Sequence, residues 1–325
     1  MRRERCSPGG LISAMDGINL RNAAAANDPL HARIAPVTMA LSGIEAIKGA
    51  LCIGSYAMGT FDEQSDIDLY VLCQPDIITP ETRRRAFEMI DGVTELRIDH
   101  QCPAWDNQWC PAGDIFRLYG SLIDVGWNTI DWLRMVIQKV SEEAATSFSE
   151  LRFRADTMLG LLANSVILLD PEGVLQRMKS ELYPYPPRLK QALLRGSLPS
   201  LKGSLGDMMN YVARGIGNSA FHFHLERSLE ALRTIVFALN ERYDPADKRV
   251  EQAYVTMSKL PRDFLARYSK ILETPLTDRG RRELVSEIEM LTKEFEIMID
   301  AEVNQPICAD LAGPGAGRQH GRVQS

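Results

Sequence analysis

The spacing of apolar and polar positions changes partway along the chain. Between Ala50 and Trp127 the apolar residues come in short runs. "ALCIGS" and "DIDLYVLC" consist largely of β-favouring residues, the second closed by Pro75, and both read as strands. "TELRIDH" alternates and predicts another strand. "DIFRLYG" and "SLIDVGW" flank Gly120-Ser121 and predict a hairpin. "TPETRRRAFEMIDG" carries helix signals at both ends: Thr79 as N-cap, Pro80 at the first position and Gly92 at the stop. Upstream, Pro29 to Gly49 repeats apolar residues at helical spacing despite Pro36. These elements make a mixed sheet with a helix against it.

From Asp131 onward the period becomes about 3.6 residues, that of a helix. "DWLRMVIQKV", "FSELRFRADTMLGLLANS", the run from Gly206 to Tyr243 and the run from Asp278 to Val303 all read as helices. "VILLDPEG" interrupts them as a short extended segment, and "YPYPPRLK" as a Pro-rich turn. The predicted fold class is therefore α/β (α+β). A mixed-sheet domain over 29–140 is followed by a C-terminal helical bundle over 141–303. Residues 1–28 and 304–325 lack periodicity and are expected to be poorly ordered.

Composition adds exclusions. The chain has 325 residues, 45% hydrophobic and 25% charged, as soluble globular proteins do. No apolar run reaches the roughly 18 to 20 residues that span a bilayer. The N-terminal apolar stretch is too short for a secretory signal, so a cytoplasmic protein is expected. A net charge of -6 argues against nonspecific affinity for a phosphate backbone, so nucleic acid is not the expected partner. Arg83-Arg84-Arg85 reads as a solvated helix face. The six cysteines read as free thiols; His100, Cys102 and Cys110 match no standard zinc spacing.

One strand is chemically odd. Asp66 and Asp68 lie two apart, so they share one face of the strand, about 7 Å apart along the backbone. Ile67, Leu69 and Val71 face the other way. Paired carboxylates repel and lose solvation unless a cation lies between them, and Mg²⁺ takes such oxygen ligands. Alone, an Asp-x-Asp at a sheet edge is often only solvated surface. Here Gly54-Ser55 precedes it and Gly59 lies between.

The spacing Gly-Ser-x3-Gly-x5-Ser-Asp-x-Asp resembles the signature of the DNA polymerase β-type nucleotidyltransferase superfamily, and more narrowly that of its antibiotic (aminoglycoside and lincosamide) members. The resemblance spans roughly residues 45 to 130 and is weak in the helical half. It implies a nucleotidyltransferase domain in which Gly54 lets backbone amides approach phosphate, Ser55 adds a hydroxyl donor and Gly59 lets the loop bend. Asp66 and Asp68 would hold Mg²⁺, two ions in all, against the triphosphate of ATP. A third carboxylate is implied from a neighbouring strand, as metal ligand or proton acceptor. Asp124 is preferred over Asp99, because its strand follows a hairpin and directly precedes the helical half.

"FALNERYDPADKR" resembles a helical segment of the antibiotic-type transferases. It implies Lys248 near the β- or γ-phosphate and Asn240 and Tyr243 at the nucleotide pocket; a plain helix end fits the same residues. His222 and His224 lack ligand spacing and suit a polar pocket edge. The four tryptophans suit core packing. The expected activity is Mg²⁺-dependent transfer of a nucleoside monophosphate, AMP from ATP, to a hydroxyl of a small aminoglycoside- or lincosamide-like molecule. The alternatives are adenylylation of a protein or tRNA, or an inactive nucleotide-binding module.

Overall fold

A computed structural model of the protein describes residues 29–100, 109–146, 155–245 and 250–303. Helix α1 (Pro29–Ser42) contains Pro36 and leads to strand β1 (Ile47–Ile53). A one-turn helix α2 (Gly54–Ala57) and a loop reach β2 (Ile67–Cys73). Helix α3 (Pro80–Glu88) follows, and the hydroxyl of its N-cap Thr79 accepts from the Thr82 amide at 3.3 Å. Strands β3 (Val93–Arg97), β4 (Ala112–Leu118) and β5 (Ser121–Thr129) come next, β4 and β5 joined by the predicted hairpin.

Helices α4 (Ile130–Ser141) and α5 (Ala155–Asn164) precede β6 (Val166–Leu169) and α6 (Val174–Glu181). The long α7 (Pro187–Arg214) and α8 (Asn218–Leu239) pack side by side. The run read as one helix thus breaks at Gly215-Ile216-Gly217, where both glycines take left-handed backbone. Helices α9 (Val250–Tyr254), α10 (Phe264–Glu273) and α11 (Asp278–Val303) complete the described chain. Residues 1–28 and 304–325, expected to be poorly ordered, lie outside the described residues.

The six strands form one sheet in the order β3-β4-β5-β2-β1-β6. Only β2 and β5 run parallel; the other neighbours are antiparallel. β6 comes from "VILLDPEG" and completes the edge beside β1, with Leu51 opposite Ile167. An isolated four-residue apolar run says nothing in sequence about which strand it will join.

Alternation sends successive residues to two cores. Ile67, Leu69 and Val71 of β2 and Ile123, Val125 and Trp127 of β5 pack with Ile34, Val37 and Leu41 of α1 and Phe87 of α3. Tyr70 and Leu72 face the opposite way, with Leu51 and Ile53, into a core shared with α4 through α11. The helical half is thus the cover for one face of the sheet.

Arg83 departs from the sequence reading, and Lys179 is a further buried cation. Arg84 and Arg85 are exposed as expected, but Arg83 is only 2% exposed. Its guanidinium donates to Asp114 at 2.7 Å and pairs with Asp99. Lys179 of α6 is 9% exposed, and its ammonium donates to the Ser165 carbonyl at 2.5 Å. Burial pushes this amine down to about 8.

Candidate active site

The end of β1 sets the site. Ile53 pairs with Asp68 across the β1–β2 ladder, so the next residue, Gly54, lies against that carboxylate. Gly54 has φ +69°, and a Cβ there would come within 2.1 Å of Asp68 Oδ2. Both the backbone conformation and the space demand glycine. The chain then turns through α2 around Ser55, whose carbonyl accepts from the Thr60 amide at 2.9 Å and hydroxyl at 3.3 Å. Gly59 also takes left-handed backbone, with φ +67°.

The loop that returns to β2 is stapled by side chains. Asp62 Oδ1 accepts from the Gln64 amide at 3.0 Å and from the Ser65 hydroxyl at 2.9 Å. The Ser65 hydroxyl in turn accepts from the Asp62 amide at 2.9 Å. The serine of Ser-Asp-Ile-Asp thus fixes the approach to the strand.

The parallel β2–β5 ladder pairs Ile67 with Ile123 and Asp68 with Asp124. Adjacent strands lie about 4.8 Å apart, so Asp68 and Asp124 stand side by side on one face. Asp66, one residue before β2 and in phase with Asp68, is half-buried like both of them. Burial is the main influence holding the Asp124 carboxyl above the usual carboxylate range; Asp66 adds to it, His100 opposes it, and Asp114 adds a little more.

Next along this face, Tyr70 pairs with Gly126. The Tyr70 hydroxyl donates to the Trp109 carbonyl at 2.5 Å, its ring stacks on Trp109 at 4.8 Å, and the Asn128 amide donates to the same carbonyl at 2.8 Å. Cys110 sits beside Gly126, and burial above all pushes its thiol up to about 11. Tyr70 follows from the alternation that pairs Asp66 with Asp68. Cys110 and His100 had no such signal, because neither lies in a strand whose alternation could place it beside Asp124.

Asp99 lies elsewhere. It pairs with Arg83, and its amide donates to Asp114 Oδ1 at 3.0 Å. Asp114 also accepts from Trp127 Nε1 at 2.8 Å. Trp127 belongs to the core on the opposite face from Asp68 and Asp124, and this network ties Asp99 to that side.

The helical candidates are spoken for or lie outside the described residues. Tyr243 is buried, and its hydroxyl donates to the Leu182 carbonyl at 2.8 Å. The Asn240 amide group donates to the Val236 carbonyl at 2.8 Å and the Lys259 carbonyl at 2.9 Å. Its oxygen accepts from the Ser258 amide at 3.1 Å and the Lys259 amide at 2.8 Å. These bonds fill the side chain's capacity in tying a loop to the end of α8. Lys248, Cys102 and Trp105 lie outside the described residues. His224 faces Asp207 at 3.5 Å, and His222 is exposed. Trp109 and Trp127 are buried and Trp132 is half-buried, as core residues.

Among the described residues, no three His, Cys, Asp or Glu side chains form a metal cage. A Mg²⁺ that works on a triphosphate needs none, since one or two carboxylates plus phosphate oxygens and water commonly complete its shell. Paired carboxylates on one face, with a glycine clearing the space beside them, fit that donor set.

Residues 40–100 match the family model of the nucleotidyltransferase domain. The match covers the stretch that carries Gly54, Ser55, Asp66 and Asp68, and it supports a transferase. It spans 61 of the 325 residues and leaves out Asp124 and the helical half. None of the curated proteins matches the chain. Among solved structures, a nucleotidyltransferase-like protein from Exiguobacterium sibiricum is 12% identical, over 84% of this chain and 78% of that one, with a TM-score of 0.41. So loose a likeness adds nothing to the nucleotidyltransferase assignment.

Proposed function

We propose that the protein is a Mg²⁺-dependent nucleotidyltransferase of the cytoplasm that moves AMP from ATP to a hydroxyl of a small molecule, aminoglycoside- or lincosamide-like in kind. The observation that carries this reading is the register that sets Asp68 beside Asp124, with Gly54 leaving room against Asp68.

In this reading Asp66, Asp68 and Asp124 would hold a metal, which would supply charge neutralisation for a triphosphate and a departing pyrophosphate. Gly54 and Ser55 lie where the phosphates approach the end of β1. Asp124 accepts the proton of the acceptor hydroxyl. The hydroxyl oxygen then bonds to the α-phosphorus as the bond to pyrophosphate breaks. The products are an AMP ester and pyrophosphate. The helices over the same sheet face supply a wall for nucleotide and acceptor.

Incubation with α-labelled ATP and Mg²⁺, against separate pools of small molecules, tRNA and proteins, tests the reading. Label is expected in the small-molecule pool and is expected to disappear with Asp68→Asn. Label confined to tRNA or protein would replace the acceptor assignment. Transfer that survives Asp68→Asn unchanged would refute the site.

A further inference from the structure

Away from the sheet, α7 and α8 line an open groove of about 300 Å³, at the lower end of the range for small-ligand sites. Its room comes from small residues. A side chain added at Gly196 of α7 would meet nothing within 4 Å, and Ala192 and Ala231 line the walls. Leu193 gives the groove an apolar side, while Ser197 and Ser200 offer hydroxyls.

Two charged residues of one helix line this space. Arg227 and Glu230 of α8 both line it, and neither forms an ion pair among the described residues. Side chains three apart on a helix lie about 5–6 Å apart at Cβ, close enough to pair with each other, yet these two do not. Phe223, one turn earlier, holds the Arg227 guanidinium 5.5 Å from its ring centre, which orients the cation. A ligand with one charge would use one of these groups and leave the other to water beside it. A ligand with both charges satisfies the pair, and the apolar wall suits a short aliphatic body.

We infer that the α7–α8 groove is a binding site for a small zwitterion, its carboxylate held by Arg227, its ammonium by Glu230 and its aliphatic body against Leu193. An α-amino acid with a short side chain has this chemistry. The site shares no residue with the Asp66–Asp68–Asp124 face, so it stands or falls separately from the transferase reading.

Isothermal titration of the full chain with alanine, serine and valine tests the inference, each compared with its N-acetyl form and its amide. At least one free amino acid is expected to bind with a dissociation constant of about a millimolar or tighter. Removing either ligand charge is expected to weaken binding at least about tenfold. Arg227→Gln is expected to weaken the free amino acid while leaving the amide unchanged, and Glu230→Gln to do the same for the free amino acid and the N-acetyl form. Both side chains are exposed, so these variants keep the fold. Gly196→Leu raises helix propensity while filling the groove, and is expected to abolish binding with no loss of melting temperature. The inference is overturned if no free amino acid binds, if the capped forms bind equally well, or if binding survives both charge substitutions. An Asp68→Asn protein is expected to bind as the wild type does, which separates this site from the transferase site.

Discussion

Lys179 offers a quantitative test of how the helical half is built. Its ammonium is buried with a single carbonyl partner, and burial alone depresses it, from 10.5 to about 8. The folded state therefore releases this proton more readily than the unfolded chain does. Stability from this group is fully present above the unfolded value of 10.5 and is lost as pH falls through about 8. The difference of about 2.5 units corresponds to a full cost of about 3 kcal/mol at low pH. Between about pH 7 and about pH 9.5, linkage predicts a recovery of about 2 kcal/mol. Lys179→Met keeps much of the side-chain volume and removes the titration. Urea melts of both proteins at the two pH values, followed by circular dichroism, give the comparison, because titrations common to both cancel in the difference. Wild type is expected to gain about 2 kcal/mol on the variant as pH rises. Parallel behaviour of the two proteins, within about 0.5 kcal/mol, would show that Lys179 is not a desolvated cation and would refute the reasoning.

Three further outcomes follow from the site and the sheet. Gly54→Ala forces a methyl to within 2.1 Å of Asp68 Oδ2 at a left-handed position, and is expected to cut transfer about a hundredfold, read as kcat. Asp124→Asn is expected to lower kcat by at least about a hundredfold while Asp99→Asn stays within about threefold; the reverse ranking would move the third carboxylate to Asp99. Arg83→Met leaves Asp114 buried without its cation and is expected to cost about 3–5 kcal/mol in urea unfolding, whereas Arg84→Met stays within about 0.5 kcal/mol.

Much of this was legible in sequence wherever local spacing decides direction. Alternation alone put Asp66 and Asp68 on one face, and the hairpin around Gly120 brought β5 into being. Thr79 and Pro80 marked the start of α3. What local spacing lacks is the identity of neighbours. The parallel pairing of β2 with β5 puts Asp124 beside Asp68, and no run of residues encodes that register by itself. The same gap hid Arg83, whose charge-rich run reads as solvated until Asp114 from another strand supplies a buried partner. It also made Asn240 and Tyr243 look available, when contacts with Lys259 and Leu182, distant in the chain, already occupy them.

The placement of β6 has a mechanical consequence. The strand that closes the β1 edge is threaded between α5 and α6, so the helical half is stitched into the sheet it covers. Swinging those helices away as one rigid lid would tear the ladder at Leu51 and Ile167, so any loosening of that cover must come from smaller pieces sliding or tilting. A chain cut off after residue 146 would leave β1 with a bare hydrogen-bonding rim, inviting strand-to-strand clumping instead of a free-standing sheet.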